Sequence, residues 1–287
     1  MRRGSEVIAV VGGLGMLGRA WCELLSSKET HFYCLDLPQL DITLTDSIKR
    51  NIPEDVDLVV NCAAWTDVDG AEDNPIQAEQ LNAFAVKLLA EHCRRINAAI
   101  IHYSTDYIFN GRSSVPYAVD HPHDPINLYG RTKAEGECLL LQSSCDALLI
   151  RTSWLYAPWG KNFVRTIADL CLQRSVLSVV NDQRGRPTSA EHLAAKSLQL
   201  YQKGAEGIYH VTDGGDCTWY DLAVEIAAKL VSECRIEPCG SDAFTRPANR
   251  PVYSVLDLAE TERLLGPMSC WRDNVADVLS RMEPVKM

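Results

Sequence analysis

Tyr129 and Lys133 stand four residues apart in the run Asn127-Leu-Tyr-Gly-Arg-Thr-Lys133. On a helix that spacing puts both side chains on one face. An ammonium beside a phenol favours the phenolate and draws the phenol's pKa below its ordinary value near 10, which makes a proton donor usable at neutral pH. The pair alone arises often by chance and usually means a solvated helix face. Two further features give it meaning: a glycine-rich turn at Gly12, Gly15 and Gly18, and an apolar stretch that ends in Ser104-Thr105-Asp106 upstream of the tyrosine.

The elements that must position these groups begin with Glu6 to Val11, a short β-branched run of the kind that forms a buried parallel strand. It leads into Gly12-Gly-Leu-Gly15-Met-Leu-Gly18 and then into Arg19-Ala-Trp-Cys-Glu-Leu-Leu25, which has helical periodicity. Strand, glycine turn and helix are the context of a dinucleotide site, where glycine lets a pyrophosphate approach the amides at the helix N-terminus. A second strand at His31 to Leu35 ends in Asp36, 18 residues past Gly18. An acidic residue near that spacing binds the adenosine ribose hydroxyls and repels a 2′-phosphate, favouring NADH over NADPH. Arg19 stands close enough to soften that preference. With a nicotinamide cofactor in that place, Thr105, Tyr129 and Lys133 form a set that can polarise a carbonyl while a hydride arrives.

A chain of 287 residues with 46% hydrophobic and 23% charged residues is long enough for one large α/β unit or two intimate subdomains. Its net charge of -10 argues against nucleic acid or an anionic membrane as partner. No run approaches the length of a membrane span, and Arg2-Arg3 precede no long apolar segment, so a cytoplasmic protein is expected. The eleven cysteines are scattered, with no Cys-x-x-Cys pair, and read as small buried thiols rather than metal ligands or a disulfide framework. His121-Pro-His123 has no acidic or thiol partner nearby in sequence. No metal site is expected.

Further strands are expected at Asp57–Ala63, Ala98–Ser104, Ala147–Thr152, Val176–Val180 and Gly207–Val211. Helices are expected at Gln77–Arg95, Leu128–Leu141, Phe163–Gln173, Ala190–Tyr201, Trp219–Leu230 and Asp257–Leu265. The alternation implies an α/β, Rossmann-like doubly wound parallel sheet. We expect residues 1–155 to form a dinucleotide-binding domain, its sheet completed from within 176–212, and residues 156–287 to form mainly a smaller substrate-binding lobe over the carboxyl ends of the strands.

These parts resemble the extended short-chain dehydrogenase/reductase family. The segments Val60-Asn-Cys-Ala-Ala-Trp-Thr66, His102-Tyr-Ser-Thr-Asp-Tyr-Ile-Phe109, Leu128-Tyr-Gly-Arg-Thr-Lys-Ala-Glu-Gly-Glu137, Arg151-Thr-Ser-Trp-Leu-Tyr156, Asn162-Phe163, Leu177-Ser-Val-Val-Asn-Asp-Gln183, Pro187-Thr188 and Arg246-Pro-Ala-Asn249 are similar, in order, to those of its dTDP-4-dehydrorhamnose reductase branch. The resemblance implies reduction of the C4 ketone of dTDP-4-dehydro-β-L-rhamnose to dTDP-L-rhamnose by NADH or NADPH. It implies Tyr129 as proton donor, Lys133 as its partner and ribose contact, and Thr105 as a hydrogen-bond donor to the reacting oxygen. Asp106 and Trp154 would contact the substrate. Gly12, Gly15, Met16, Leu17, Gly18, Asp36, Asp41, Ile42, Ala64, Trp65 and Thr66 would line the cofactor.

The chain departs from the branch pattern at Asn249-Arg-Pro-Val252, where Asn-Ser-Arg-Leu is frequent. Glu191 matches one glutamate of the magnesium-bridged dimers in this branch, but Ala20 stands at the other position, so a monomer or an unbridged homodimer is expected. Two alternatives share the resemblance. One is a nucleotide-sugar epimerase or dehydratase. The other is a non-catalytic regulatory subunit like the β subunit of methionine adenosyltransferase.

Overall fold

The computed structural model describes residues 6–282. Short runs of β-branched and apolar residues form the strands β1 (Ile8–Val11), β2 (Phe32–Leu35), β3 (Leu58–Asn61), β4 (Ala99–Thr105) and β5 (Ala147–Thr152). With Gly207–His210 they make a six-stranded parallel sheet in the order Gly207–His210, β5, β4, β3, β1, β2. Every residue of β1 and β3 is buried, as a sheet covered on both faces requires. Val11 aligns with Leu35 on one side and with Asn61 on the other, so Gly12, Asp36 and Cys62 leave the sheet at one edge. The chain passes from β1 to β2 and then crosses back to β3. That reversal opens a crevice at the carboxyl edge, the place where such sheets bind ligands.

Helices cover both faces. Leu17, Trp21, Leu193 and Leu198, from the helices Met16–Ser27 and Ala190–Gln202, pack on one side. Val86, Leu89 and Leu140 pack on the other. Residues 190–210 thus return to the first unit and close its sheet. The Val176–Val180 strand, by contrast, is not part of that sheet. It pairs in parallel with Arg235–Cys239 in a separate lobe built with the helices Phe163–Cys171, Trp219–Lys229 and Trp271–Ser280. Its alternating burial shows why: only one of its faces is covered, unlike the central strands.

The expected single helix Gln77–Arg95 is three pieces: Pro75–Glu79, a π-helical turn Gln80–Phe84, and Ala85–Ile96. Apolar periodicity does not register the extra residue of a π turn. Here the turn presents Asn82, which accepts from the Trp65 amide at 2.9 Å and donates to the Trp65 carbonyl and to Thr132 Oγ1, each at 3.1 Å. It therefore fixes the loop after β3 against the helix that carries Tyr129. Among the described residues no helix is long and apolar enough to cross a membrane.

Candidate active site

The glycine turn closes against its neighbours by contacts that only glycine permits. Gly12 has φ +73°, and a Cβ there would stand 2.7 Å from the Ala63 amide nitrogen. A Cβ at Gly18 would run into the Gly12 carbonyl. Gly12 and Gly13 donate to Leu35 O at 2.8 and 3.1 Å, tying the turn to the end of β2. The helix Met16–Ser27 starts at Gly15, with no side chain capping its first amides. Those amides and the aligned peptide dipoles suit a pyrophosphate.

Asp36 sits at this turn, accepting from Leu14 N and Leu37 N at 2.8 Å each. Asp41 is held by Thr43, through the Oγ1 at 2.6 Å and the amide at 2.9 Å. Gly12, Gly15, Met16, Leu17, Asp36, Asp41, Ile42, Ala64 and Thr66 all line one cavity of about 660 Å³, a volume suited to a nucleotide and a sugar. Two expected residues lie outside its lining. Gly18 serves the close approach of helix and turn, and Trp65 is turned aside, its Nε1 donating to Asp67 O at 2.9 Å. Arg19 is also engaged elsewhere, 2.8 Å from Glu23 and 4.3 Å over the Trp159 ring.

Thr105, Asp106, Tyr129, Lys133 and Trp154 meet in the same cavity. The helix Leu128–Gln142 starts at Asn127, whose side chain accepts from Gly130 N at 2.8 Å and donates to Asn249 O at 2.7 Å. Its first turn delivers Tyr129, and the next delivers Lys133. The lysine is buried, its Nζ donating to Tyr103 O at 2.6 Å and lying 3.4 Å from His102 Nε2. Burial brings Lys133 down to about 8, against an opposing pull from Glu137. Burial and the nearby lysine hold the His102 ring well below its ordinary range, hence neutral. Glu137 is itself anchored to Arg151 at 2.8 Å and to His123 at 3.0 Å.

The expectation that Lys133 lowers the Tyr129 pKa does not hold in this arrangement. Burial pushes the phenol up to about 12; Thr105 hydrogen-bonds to it and pulls the other way, while the Asp106 charge raises it further. The ammonium faces the Tyr103 carbonyl, so the phenol answers to Thr105 and Asp106 instead. Four-residue spacing fixes the face of a helix but not where a long flexible side chain ends.

Thr105 donates to Asp106 Oδ1 at 3.0 Å and accepts from Tyr107 N at 3.2 Å. Asp106 Oδ2 is buried without a hydrogen-bond partner on the cavity wall. Burial raises this carboxyl to about 7. Between its unfolded value near 4 and about 7 the folded state holds the extra proton, so stability falls as pH rises through that window. Asp106→Asn is therefore expected to stabilise the protein at pH 8 by up to about 4 kcal/mol, and far less at pH 5. Urea denaturation of both proteins at the two pH values checks this, and an equal increment at both would refute it.

Trp154 has φ +46° and stacks on Trp219, with centroids 3.5 Å apart and planes 10° apart. One face of its ring is thus already covered. Trp219 begins the helix Trp219–Lys229, which is set by a capping box of Thr218 and Asp221. It lines both this cavity and a second of about 700 Å³ that also holds Arg246, Asn249 and Arg250. Asp69 ties the arginine loop to the first unit, pairing with Arg250 at 2.7 and 2.8 Å and with Arg246 at 3.3 Å. The Arg250 hydrogen bond is the main reason the Asp69 carboxyl is held at about 2. Sequence reasoning missed Trp219 and His102. The Thr218-x-x-Asp221 cap was a usable signal for the first; nothing local marks the second. Glu191 is paired with Arg281 at 2.6 Å.

The sequence matches the RmlD substrate binding domain family over residues 6–283. It is 39% identical over 284 residues to a probable dTDP-4,6-dihydroxy-2-methyloxan-3-one 4-ketoreductase of Streptomyces antibioticus, covering 96% of each chain. It is 37% identical over 281 residues to the dTDP-4-dehydrorhamnose reductase of Mycolicibacterium smegmatis, covering 96% of this chain and 86% of that one. The crystal structure of the Bacillus anthracis dTDP-4-dehydrorhamnose reductase in complex with NADP is 31% identical. It superposes with a TM-score of 0.91 over 96% of this chain and 99% of that one.

Proposed function

This chain belongs to the RmlD substrate binding domain family, and we propose that it reduces the C4 ketone of dTDP-4-dehydro-β-L-rhamnose to dTDP-L-rhamnose, with NADH or NADPH as reductant. The observation that carries the proposal is the meeting of Thr105, Tyr129 and Lys133 in one cavity with the glycine turn. The bound dihydronicotinamide supplies a hydride to the ketone carbon. The protein's part is to hold the ketone oxygen between Tyr129 and Thr105, whose one hydroxyl hydrogen turns from Asp106 to the substrate, and to give that oxygen a proton. Tyr129, raised to about 12, is fully protonated at neutral pH. An alkoxide is a stronger base than a phenolate, so the transfer from Tyr129 stays downhill in spite of that raised value. The orphaned Asp106 Oδ2 accepts from a sugar hydroxyl, which satisfies it. Lys133, fixed by the Tyr103 carbonyl, contacts the nicotinamide ribose. Trp154 and Trp219 together offer an aromatic wall to the sugar nucleotide.

Loss of NAD(P)H absorbance on adding the dTDP-keto-sugar, generated by coupled upstream enzymes, tests the proposal. An epimerase, which returns its hydride, or a binding subunit would give no net loss. A second reading is reduction of another dTDP-4-keto-6-deoxyhexose. It is favoured by the Streptomyces relative's name and by Asn249-Arg-Pro-Val252 on the second cavity's loop. Running the assay against several keto-sugars separates the two.

Asp36→Ala is expected to move the ratio of kcat/KM values toward NADPH, because the carboxylate no longer repels a 2′-phosphate. NADH binding should weaken by on the order of 1.5–3 kcal/mol through loss of a charge-assisted contact. The substitution also frees the Leu14 and Leu37 amides, so some loss is expected with both cofactors. An unmoved ratio would exclude Asp36 from the ribose.

A further inference from the structure

All eleven cysteines are free, yet six meet in three pairs that the sequence keeps far apart. Cys22 neighbours Cys34, Cys93 neighbours Cys145, and Cys171 neighbours Cys234, each pair close enough for one thiol to act on the other. Cys171, Cys234 and Cys93 are buried, and Cys145 is half-buried. Cys34 is exposed, on the edge strand β2, and Cys22 is half-buried on the helix Met16–Ser27. Of the three pairs, this one is the most open to a soluble reagent.

It also sits under the glycine turn. A Cβ at Gly13 would collide with Cys34 Sγ, so the sulfur occupies the space that glycine leaves there. The next residue, Leu35, accepts from Gly12 N and Gly13 N, and the one after, Asp36, accepts from Leu14 N. Cys22 lies one turn beyond Gly18 on the helix whose first amides face the cavity. It also lies close to Cys62, on the cavity wall.

We propose that Cys22 and Cys34 form a redox-sensitive modification site, closed to a disulfide by exchange with a small-molecule disulfide and acting on the cofactor turn. The exposed Cys34 thiolate attacks the reagent's disulfide, forming a mixed disulfide and expelling one thiol. Cys22 then loses its proton, its sulfur attacks the Cys34 sulfur, and the second thiol leaves. Two protein thiols are oxidised by two electrons, and one disulfide is reduced to two thiols. Burial, reinforced by Cys34, pushes the Cys22 thiol up to about 12, which fits it to the resolving role and not the attacking one. A disulfide brings two sulfurs to about 2.05 Å, well inside the distance of a thiol hydrogen bond. Closing the bond draws Cys34 Sγ from its seat beside Gly13 and pulls helix and strand together. The amides and Asp36 then shift against each other.

The inference rests on reading the turn as the cofactor site, and the test separates the two. The full-length protein, reduced and then treated with oxidised glutathione, is mapped by peptide mass spectrometry and titrated with NADPH by fluorescence. The expected result is a Cys22–Cys34 bond, an NADPH Kd raised by about tenfold or more, and recovery with dithiothreitol. Cys34→Ser should keep its reduced-state affinity under oxidant, while Cys145→Ser should still switch. Absence of the Cys22–Cys34 bond, an unchanged Kd with that bond formed, or an equal loss in Cys34→Ser would overturn the proposal. If the reduced protein binds no NADPH, the cofactor reading fails and the effect on the turn with it; the map still decides the modification site.

Discussion

Replacing Tyr129 with phenylalanine is expected to lower kcat roughly 10²–10⁴-fold, the usual worth of a positioned general acid. NADPH affinity should stay nearly unchanged. The phenol oxygen is all that is lost. The ring keeps its place in the first turn of the Leu128–Gln142 helix, edge-on to Tyr107 with centroids 6.0 Å apart. Because the phenol faces Thr105, the defect should lie in turnover and not in cofactor binding. Stopped-flow turnover beside a fluorescence titration separates the two. Retention of most of the activity would remove Tyr129 from the proton-transfer step.

Neutralising Lys133 gives the second large effect. Lys133→Met removes a charge-assisted contact worth on the order of 1.5–3 kcal/mol, so cofactor affinity should fall by roughly 10–100-fold. The pH profile carries more information. Burial brings Lys133 to about 8, whereas Tyr129 stays protonated to about 12. The lysine is charged below its pKa and neutral above it. In the wild-type protein kcat/KM, which reports the free enzyme, should therefore fall as pH rises through about 8, and that limb belongs to the lysine. Lys133→Arg should move it upward, since guanidinium stays charged. Lys133→Met should abolish it. An alkaline limb unmoved in both variants would show that another group titrates there.

Much of the fold is legible because its signals are local. Ile8–Val11, Leu58–Asn61 and Ala147–Thr152 are apolar runs too short for helices, and Gly12, Gly15 and Gly18 mark the turn that follows the first of them. Asn127 before Leu128 is a helix start by composition alone. The gathering of Thr105, Asp106, Tyr129 and Lys133 at one edge follows from a parallel sheet whose strands end in register.

The rest depends on partners distant in the chain. Val176–Val180 reads as a strand, but its pairing with Arg235–Cys239 rather than with the central sheet is a tertiary choice. The π turn at Gln80–Phe84 hides inside good helical periodicity, its reason lying across the structure at Trp65 and Thr132. The direction of the Lys133 ammonium is set by the Tyr103 carbonyl, and burial of the phenol, with no lysine to offset it, turns the expected lowering of the Tyr129 pKa into a rise. The nearness of Cys93 to Cys145, both free thiols, is of the same kind: they meet only when the helix Ala85–Ile96 and the turn before β5 have packed.

If this cavity delivers a hydride to C4 of a dTDP-4-dehydro-sugar while Tyr129 protonates the oxygen, the label of a deuterated cofactor must end on that carbon. The most direct measurement supplies dTDP-4-dehydro-β-L-rhamnose with NADPH deuterated at the transferring C4 position and examines the product by NMR and mass spectrometry. The expected product is dTDP-L-rhamnose with one deuterium, at sugar C4, formed in step with NADPH oxidation and abolished nearly completely in Tyr129→Phe. Deuterium at any other carbon, or a product formed without net oxidation of the cofactor, would contradict it.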